Sequence, residues 1–342
     1  MQLQNFGWNG FFASQARAGV PGRVASVSHE QFLVWTESGE VDAVVSGRLR
    51  HEGSLWPAVG DWVALRQDAP VIEQVLDRRT VLSRKQPGRA AEEQVLAANI
   101  DLLFIVTGLD GDFNERRIER YLIVARQSGA QPVILLNKAD LAQTHGIDPP
   151  ATISRLNRWS GVPVLAVSAL EGGGVAAIGD LVAAGETAAL IGSSGVGKST
   201  LLNRLLGEQR QATNAARADD NRGRHTTTTR SMFPMPGGWL LIDMPGLREV
   251  QLWADPEQLD GGFDDIGLLA QQCRFRDCTH GSEPGCAVRA ADLDQGRLAN
   301  YQKMQKELDY LERKTDKRLM SENKTRWKVI HKAMRNHQKT GS

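Results

Sequence analysis

Cysteine is scarce in this 342-residue chain, which has three Cys, and aromatic residues make up 6% of it. An odd count of cysteines does not close into the disulfide framework of a small secreted domain. No apolar run approaches the roughly 18 residues of a membrane helix. The start of the chain also lacks the basic segment and apolar stretch of a secretory signal. These absences exclude a membrane-embedded chain and leave the expectation of a cytoplasmic, globular protein. Its length suits two or three domains, each able to bury a core.

Net charge is only +1, but it is unevenly spread. Residues 313–339 hold ten Lys or Arg against two acids, with Trp327, His and Asn interleaved. Such a tail suits an electrostatic arm for nucleic acid, or a merely solubilising end. Ahead of it, Leu298, Tyr301, Met304, Leu308 and Leu311 recur at helical spacing and predict a helix docked on the protein.

The three cysteines all fall within fourteen residues, as Cys273, Cys278 and Cys286 with His280 between them, in the pattern C-x4-C-x-H-x5-C. Three thiolates and one imidazole supply the four ligands of a structural, tetrahedral zinc ion, one per chain. That set leaves no open position for catalysis.

The strongest motif is Gly192-Ser193-Ser194-Gly195-Val196-Gly197-Lys198-Ser199, a complete G-x-x-x-x-G-K-[ST] phosphate loop followed by Thr200. It lies between an expected buried strand, Thr187–Ile191, and an expected helix, Ser199–Leu206. The helix N-terminus adds partial positive charge. Lys198 is placed to reach the outer phosphates and Ser199 to offer its hydroxyl to Mg²⁺. Upstream, Asn137-Lys138-Ala139-Asp140 ends the expected strand Pro132–Leu136 and reads as a guanine-recognition tetrad. Asp140 suits the N1–H and 2-amino group of guanine, which adenine lacks. Asn137 is expected to hold the loop and the base, and the Lys138 stem to pack along the ring. Ser168-Ala169, after the expected strand Val164–Val167, is the tetrad's companion, with the Ala169 N–H for the guanine oxygen.

Asp243 follows the apolar run Trp239–Ile242, as a carboxylate holding Mg²⁺ through water does, and Gly246 is spaced to sense the third phosphate. Leu247 stands where many GTPases carry a water-orienting glutamine. Residues 214–230 are polar and hold Arg217, Arg222, Arg224, His225 and Arg230, a segment expected to be ordered by phosphate, Mg²⁺ or a partner. Thr227 is the preferred Mg²⁺ ligand there, with Thr226 and Thr228 as rivals. The guanine motifs precede the phosphate loop, the reverse of the usual order, so the domain is circularly permuted.

Five short strand-like runs, Arg23–Val27, Phe32–Trp35, Val41–Val45, Asp61–Leu65 and Val71–Leu76, predict a small barrel, of the oligonucleotide-binding type or a similar one. Residues 77–98 read as a linker, with Arg78, Arg79, Arg84, Lys85 and Arg89 available for phosphates. From Ile100 onward strands and helices alternate, predicting a parallel sheet flanked by helices.

Taken together, the barrel, the permuted motifs and the Cys/His spacing closely resemble the ribosome small-subunit-dependent GTPase A family. The resemblance runs from about Pro21 to Leu311 and includes Gly60-Asp61-Trp62-Val63, Leu96-Ala97-Ala98-Asn99-Ile100-Asp101 and Gly223-Arg224-His225-Thr226-Thr227-Thr228. It implies an oligonucleotide-binding barrel and linker over 21–90, and leaves residues 1–20 as an N-terminal extension that carries none of its motifs. A permuted α/β GTPase domain over 91–252 and a mostly helical zinc domain over 253–312 follow, and the basic tail over 313–342 lies beyond the resemblance. It also implies a monomer that binds GTP or GDP, the small ribosomal subunit and its rRNA, and hydrolyses GTP late in subunit maturation to release itself. His225 falls at the family's switch histidine, a candidate for positioning water beside Lys198 and Thr227, and an apolar Leu247 is in pattern. A nucleotide-gated placeholder on rRNA, and a permuted GTPase acting on the large subunit, are the alternatives.

Overall fold

The structure is a computed structural model that describes residues 2–16, 18–51, 55–85, 93–207, 230–244, 262–291, 293–294 and 296–310. Contacts divide the chain into two units.

The first unit holds the barrel and the α/β sheet. Strands β1 (Val20–Ser28), β2 (Gln31–Thr36), β3 (Gly39–Val45), β4 (Trp62–Leu65) and β5 (Val71–Val75) are joined in the order β1-β2-β3-β5-β4, and β4 returns to β1. The ring is therefore closed, with β3 and β5 parallel and the other pairings antiparallel. Of the barrels open to the sequence, this connectivity suits the oligonucleotide-binding type. Alternation along the strands sends Val24, Phe32, Val34, Val63 and Ile72 inward, each fully buried.

Residues 77–98, expected as a linker, instead contain a two-stranded ribbon, β6 (Val81–Lys85) with β7 (Glu93–Ala98). Leu82 and Leu96, each 2% exposed, anchor it, and burying them stabilises a ribbon that a polar linker would not form. The opening residues also pack: Trp8 meets the Trp62 ring edge-on at 4.7 Å, and Phe12 is buried beside both.

A buried polar network lies at the barrel's base. Arg23, 2% exposed, donates to the carbonyls of Phe6, Gly60 and Asn99 and lies 5.5 Å from the Trp62 ring centroid. The fully buried Asp61 takes two bonds from Arg78, at 2.7 and 2.8 Å, and one from the Ala58 N–H. Asn99, in the left-handed region at φ 55°, donates to the Gly60 carbonyl and accepts from the Arg79 N–H. Burial lowers the Arg23 pKa to about 10 and raises that of Asp61, while the opposite charges of the network work against both shifts. Removing one partner from such a network costs about 3–5 kcal/mol. Gly60-Asp61-Trp62 and Asn99 therefore serve as the joint between barrel and sheet. Arg78, offered by the sequence as a phosphate contact, is committed to Asp61.

Beyond the barrel come β8 (Leu102–Gly108), β9 (Gln131–Asn137), β10 (Val164–Ala166), β11 (Thr187–Ile191), β12 (Arg230–Pro234) and β13 (Leu240–Asp243). Strands β10-β9-β8-β11-β13 are all parallel, and β8 and β11 are buried along their whole length, as strands covered on both faces are. The helix Glu115–Ser128 begins on an Asn114 cap that accepts from the Arg116 and Arg117 N–H groups. Strand β12 pairs with β13 on one side and with β1 of the barrel on the other, through Ser26↔Ser231 and Val27↔Arg230. Barrel and α/β sheet are thus one continuous sheet of eleven strands.

In the second unit the helix Asp264–Ala270, the Cys/His segment and a helix over 296–310 are described. Tyr301, Met304 and Leu308 are buried as the helical stripe predicts, and Leu298 is half-buried. Leu311 and the basic tail lie outside the described residues, as does Arg89.

Candidate nucleotide site and metal cluster

Five parallel strands end on one edge of the sheet, and the loops leaving that edge carry the sequence motifs. The phosphate loop runs from Gly192 to Gly197 between β11 and the helix Lys198–Leu206, with Ser199 and Thr200 half-buried in the first turn. Gly197 adopts φ 94°, and a Cβ there would sit 2.4 Å from Asn137 Nδ2. Its bare Cα is what admits the tetrad asparagine to the phosphate loop.

Asn137 ties the three loops together. Its Nδ2 donates to the Val196 carbonyl at 2.8 Å, and its Oδ1 accepts from the Ala169 N–H at 2.9 Å. Asp140 accepts from the Ser168 hydroxyl at 2.5 Å, which fixes one carboxylate oxygen. Lys138, in the left-handed region at φ 60°, reaches Asp110 at 2.6 Å. The loops expected to read a guanine base and to cradle phosphate therefore share direct bonds, although 59 residues separate Asn137 from Val196.

Lys198 folds back on its own loop and donates to the carbonyls of Gly192 and Ser193 at 2.8 and 2.7 Å. Burial lowers its pKa to about 8, partly offset by the negative charge of Asp243. Asp243 is itself buried at the end of β13, in register with Leu190 of β11. Gly246, Leu247, Arg217, Arg222, Arg224, His225, Thr226, Thr227 and Thr228 lie outside the described residues.

Four contributors escaped the sequence reading. Arg204, one helical face on from the phosphate loop, donates to the carbonyls of Ala169 and Leu170 and so holds the guanine-side loop. Asp110, Asp112 and Arg117 lie on the loop and helix start after β8. Acids just past the carboxyl end of a buried strand were the available signal.

Cys273, Cys278, His280 and Cys286 offer ligand atoms that all lie within 4.8 Å of one another. Cys273 Sγ is 3.9 Å from Cys286 Sγ and 3.7 Å from His280 Nδ1, and Cys286 Sγ is 3.5 Å from the same nitrogen. Those separations suit the edges of a tetrahedron with bonds of about 2.0–2.3 Å, so the donor set fits a zinc-sized ion. The His280 carbonyl accepts from Gln302, and the Ala287 and Val288 N–H groups donate to Cys273, which steadies a thiolate. Metal analysis is expected to return about one Zn²⁺ per chain. Cys278→Ala is expected to release it and loosen the residues around Tyr301 while GDP affinity stays within about twofold. A metal-free native chain counts against this assignment.

A P-loop fold whose guanine loops come first in the chain defines a circularly permuted GTPase. The chain belongs to the RsgA GTPase family, whose profile matches residues 75–253. A small ribosomal subunit biogenesis GTPase RsgA from Opitutus terrae is 46% identical, over 98% of this chain and 97% of that protein. One of the same description from Methanosarcina acetivorans is 43% identical over 95% and 90%. Among solved structures, YjeQ from Thermotoga maritima aligns with a TM-score of 0.63 and 27% identity over 84% of this chain and 98% of that one. YloQ, a circularly permuted GTPase, shares the fold at a TM-score of 0.61 and 22% identity, over 86% and 96%. The chain is accordingly a GTP hydrolase. Among the described residues no helix is long and apolar enough to cross a membrane.

Proposed function

We propose that this GTPase acts in maturation of the small ribosomal subunit, binding the subunit through its rRNA and hydrolysing GTP there to leave it. The observation that carries the nucleotide half of this reading is Asn137, which bonds both the phosphate loop and the Ala169 loop. The relatives named as small ribosomal subunit biogenesis GTPases support the ribosomal half. In this reading Asp140 takes the guanine N1–H and 2-amino group, the Ala169 N–H meets the guanine oxygen, and residues 192–200 cradle the phosphates. Ser199 and Thr227 would hold Mg²⁺, and the Asp243 carboxylate would add negative charge for it. Bound there, Mg²⁺ neutralises charge developing on the phosphates. The Cys/His cluster holds zinc structurally, and the chain works as a cytoplasmic monomer.

Leu247 has no group to orient water, so the free protein is expected to hydrolyse GTP slowly. On the subunit, His225 is assigned that task, because a neutral imidazole accepts a proton near neutral pH. Single-turnover hydrolysis with and without small subunits is the test. Stimulation is expected, and His225→Ala is expected to remove about a hundredfold or more of it while GTP affinity holds. Binding without any stimulation would mean a nucleotide-gated placeholder on rRNA, the reading that Leu247 leaves open. A normal stimulated rate in His225→Ala refutes the histidine's role.

A further inference from the structure

Both acids of the loop Leu109–Phe113 are spent on cations that belong to the nucleotide site. Asp110 Oδ2 accepts from Lys138 Nζ at 2.6 Å, and Asp110 Oδ1 accepts from the Asp112 N–H at 3.1 Å. Asp112 takes both arms of Arg117, at 2.6 and 3.0 Å. Arg117 also donates to Ser193 Oγ, the second residue of the phosphate loop, at 2.8 Å, and that hydroxyl lies 3.1 Å from Asp112. The Leu109 N–H donates to the Asn137 carbonyl at 2.7 Å, joining the loop to the tetrad.

Carboxylates beside a polyphosphate site repel the ligand unless their charge is met. Here each is met, and by a side chain it can orient. Lys138 sits in a backbone region costly for a residue with a Cβ, and the Asp110 bond fixes its ammonium there. Gly108 completes the arrangement: a Cβ on it would lie 2.7 Å from Asp110 Oδ1 and would push the carboxylate from its present position. Burial, the largest single influence, would raise the Asp110 pKa, but the Lys138 bond and charge and the Asp112 N–H together outweigh it and the carboxyl stays below its usual range.

We propose that this loop braces the nucleotide site, with Asp110 the positioning residue for Lys138 and Asp112, through Arg117, the positioning residue for Ser193. One short loop then sets the base side and the phosphate side together. The inference rests on the reading of Asn137–Asp140 as the base site and adds residues that the motifs do not contain.

Calorimetric titration of the full chain with GDP tests it. Asp110→Asn, nearly isosteric, is expected to raise the GDP Kd about tenfold, the worth of one charge-assisted bond. In a Lys138→Met background, which keeps the stem and removes the ammonium, the same substitution is expected to cost nothing further and to recover some affinity, because the carboxylate it neutralises is no longer met. Gly108→Ala reaches the same end without altering a charge and is expected to show a similar loss. Asp112→Asn is expected to weaken GDP binding while Arg117 is present, and in Arg117→Met, where the carboxylate is no longer met by the guanidinium, that loss is expected to disappear or reverse. An unchanged Kd in Asp110→Asn or Gly108→Ala overturns the brace, as does a full loss that persists without the Lys138 ammonium. A loss in Asp112→Asn that persists in Arg117→Met overturns the phosphate-side half. Failure of the base-site reading is distinct, because it appears in the unmodified chain as equal competition by ATP and GTP.

Discussion

Asp140→Asn is expected to turn the chain from a guanine-binding into a xanthine-binding protein. The argument is one of donors and acceptors. An ionised carboxylate only accepts, and guanine offers it two donors, N1–H and the 2-amino group. An asparagine side chain places one donor where both groups on the protein side were acceptors, so the 2-amino group of guanine meets an N–H and one partner goes unsatisfied. Xanthine carries an oxygen at that position and accepts from the new amide. Ser168 strengthens the case, since its hydroxyl already holds one carboxylate oxygen of Asp140 at 2.5 Å and leaves the other for the base. Unpaired polar groups of this kind cost about 1–3 kcal/mol each, more when a charge is involved, so a loss of roughly a hundredfold in GTP affinity is expected. Competition by XTP and GTP for the variant is the measurement. A variant that still prefers GTP removes Asp140 from the base site.

Some of this was legible in the residues because the chemistry dictates them. A backbone that must turn its N–H groups inward requires glycine, which is why residues 192–197 were readable without coordinates. The strand Thr187–Ile191 coincides with its sequence reading, and all five barrel runs form strands, because short apolar or alternating runs between turns leave a mark in single segments. Other features depend on partners distant in the chain. Arg78 reads as an exposed base until Asp61, seventeen residues earlier, is seen to enclose it. Strand β12 has one buried residue, Met232, and ends in Pro234, so its burial pattern is too weak to mark a strand. What makes it one is backbone pairing on two sides, with β13 and with β1. Trp8 and Phe12 likewise signal nothing until Trp62 faces them. Asp110 and Asp112 were missed for the same reason, as their cations come from the tetrad and from a helix.

Lys198 is expected to give the largest loss of all, and a dependence on pH that identifies the cause. Its ammonium is held by two carbonyls of its own loop and sits deep enough that its pKa falls to about 8. In the reading proposed here, that ammonium turns to the outer phosphates when nucleotide arrives. Truncating one partner of such a desolvated charge pair costs about 2–5 kcal/mol, so Lys198→Ala is expected to weaken GDP and GTP binding by about thirtyfold to several thousandfold and to lower turnover with it. The sign of the pH effect follows from the shift. Below pH 8 the free site already carries the proton, and affinity is flat. Above it the amine is neutral in the free site, while the phosphates pull its pKa back up, so binding takes up a proton and weakens as pH rises. From pH 7 to pH 9 the GDP Kd is expected to rise about tenfold. Lys198→Arg, charged throughout that range, is expected to bind less well but without this rise, and any titration of the base itself is common to both proteins. Parallel pH profiles for the two would show that the phosphates do not draw on the Lys198 proton, and would place the ammonium elsewhere in the nucleotide complex.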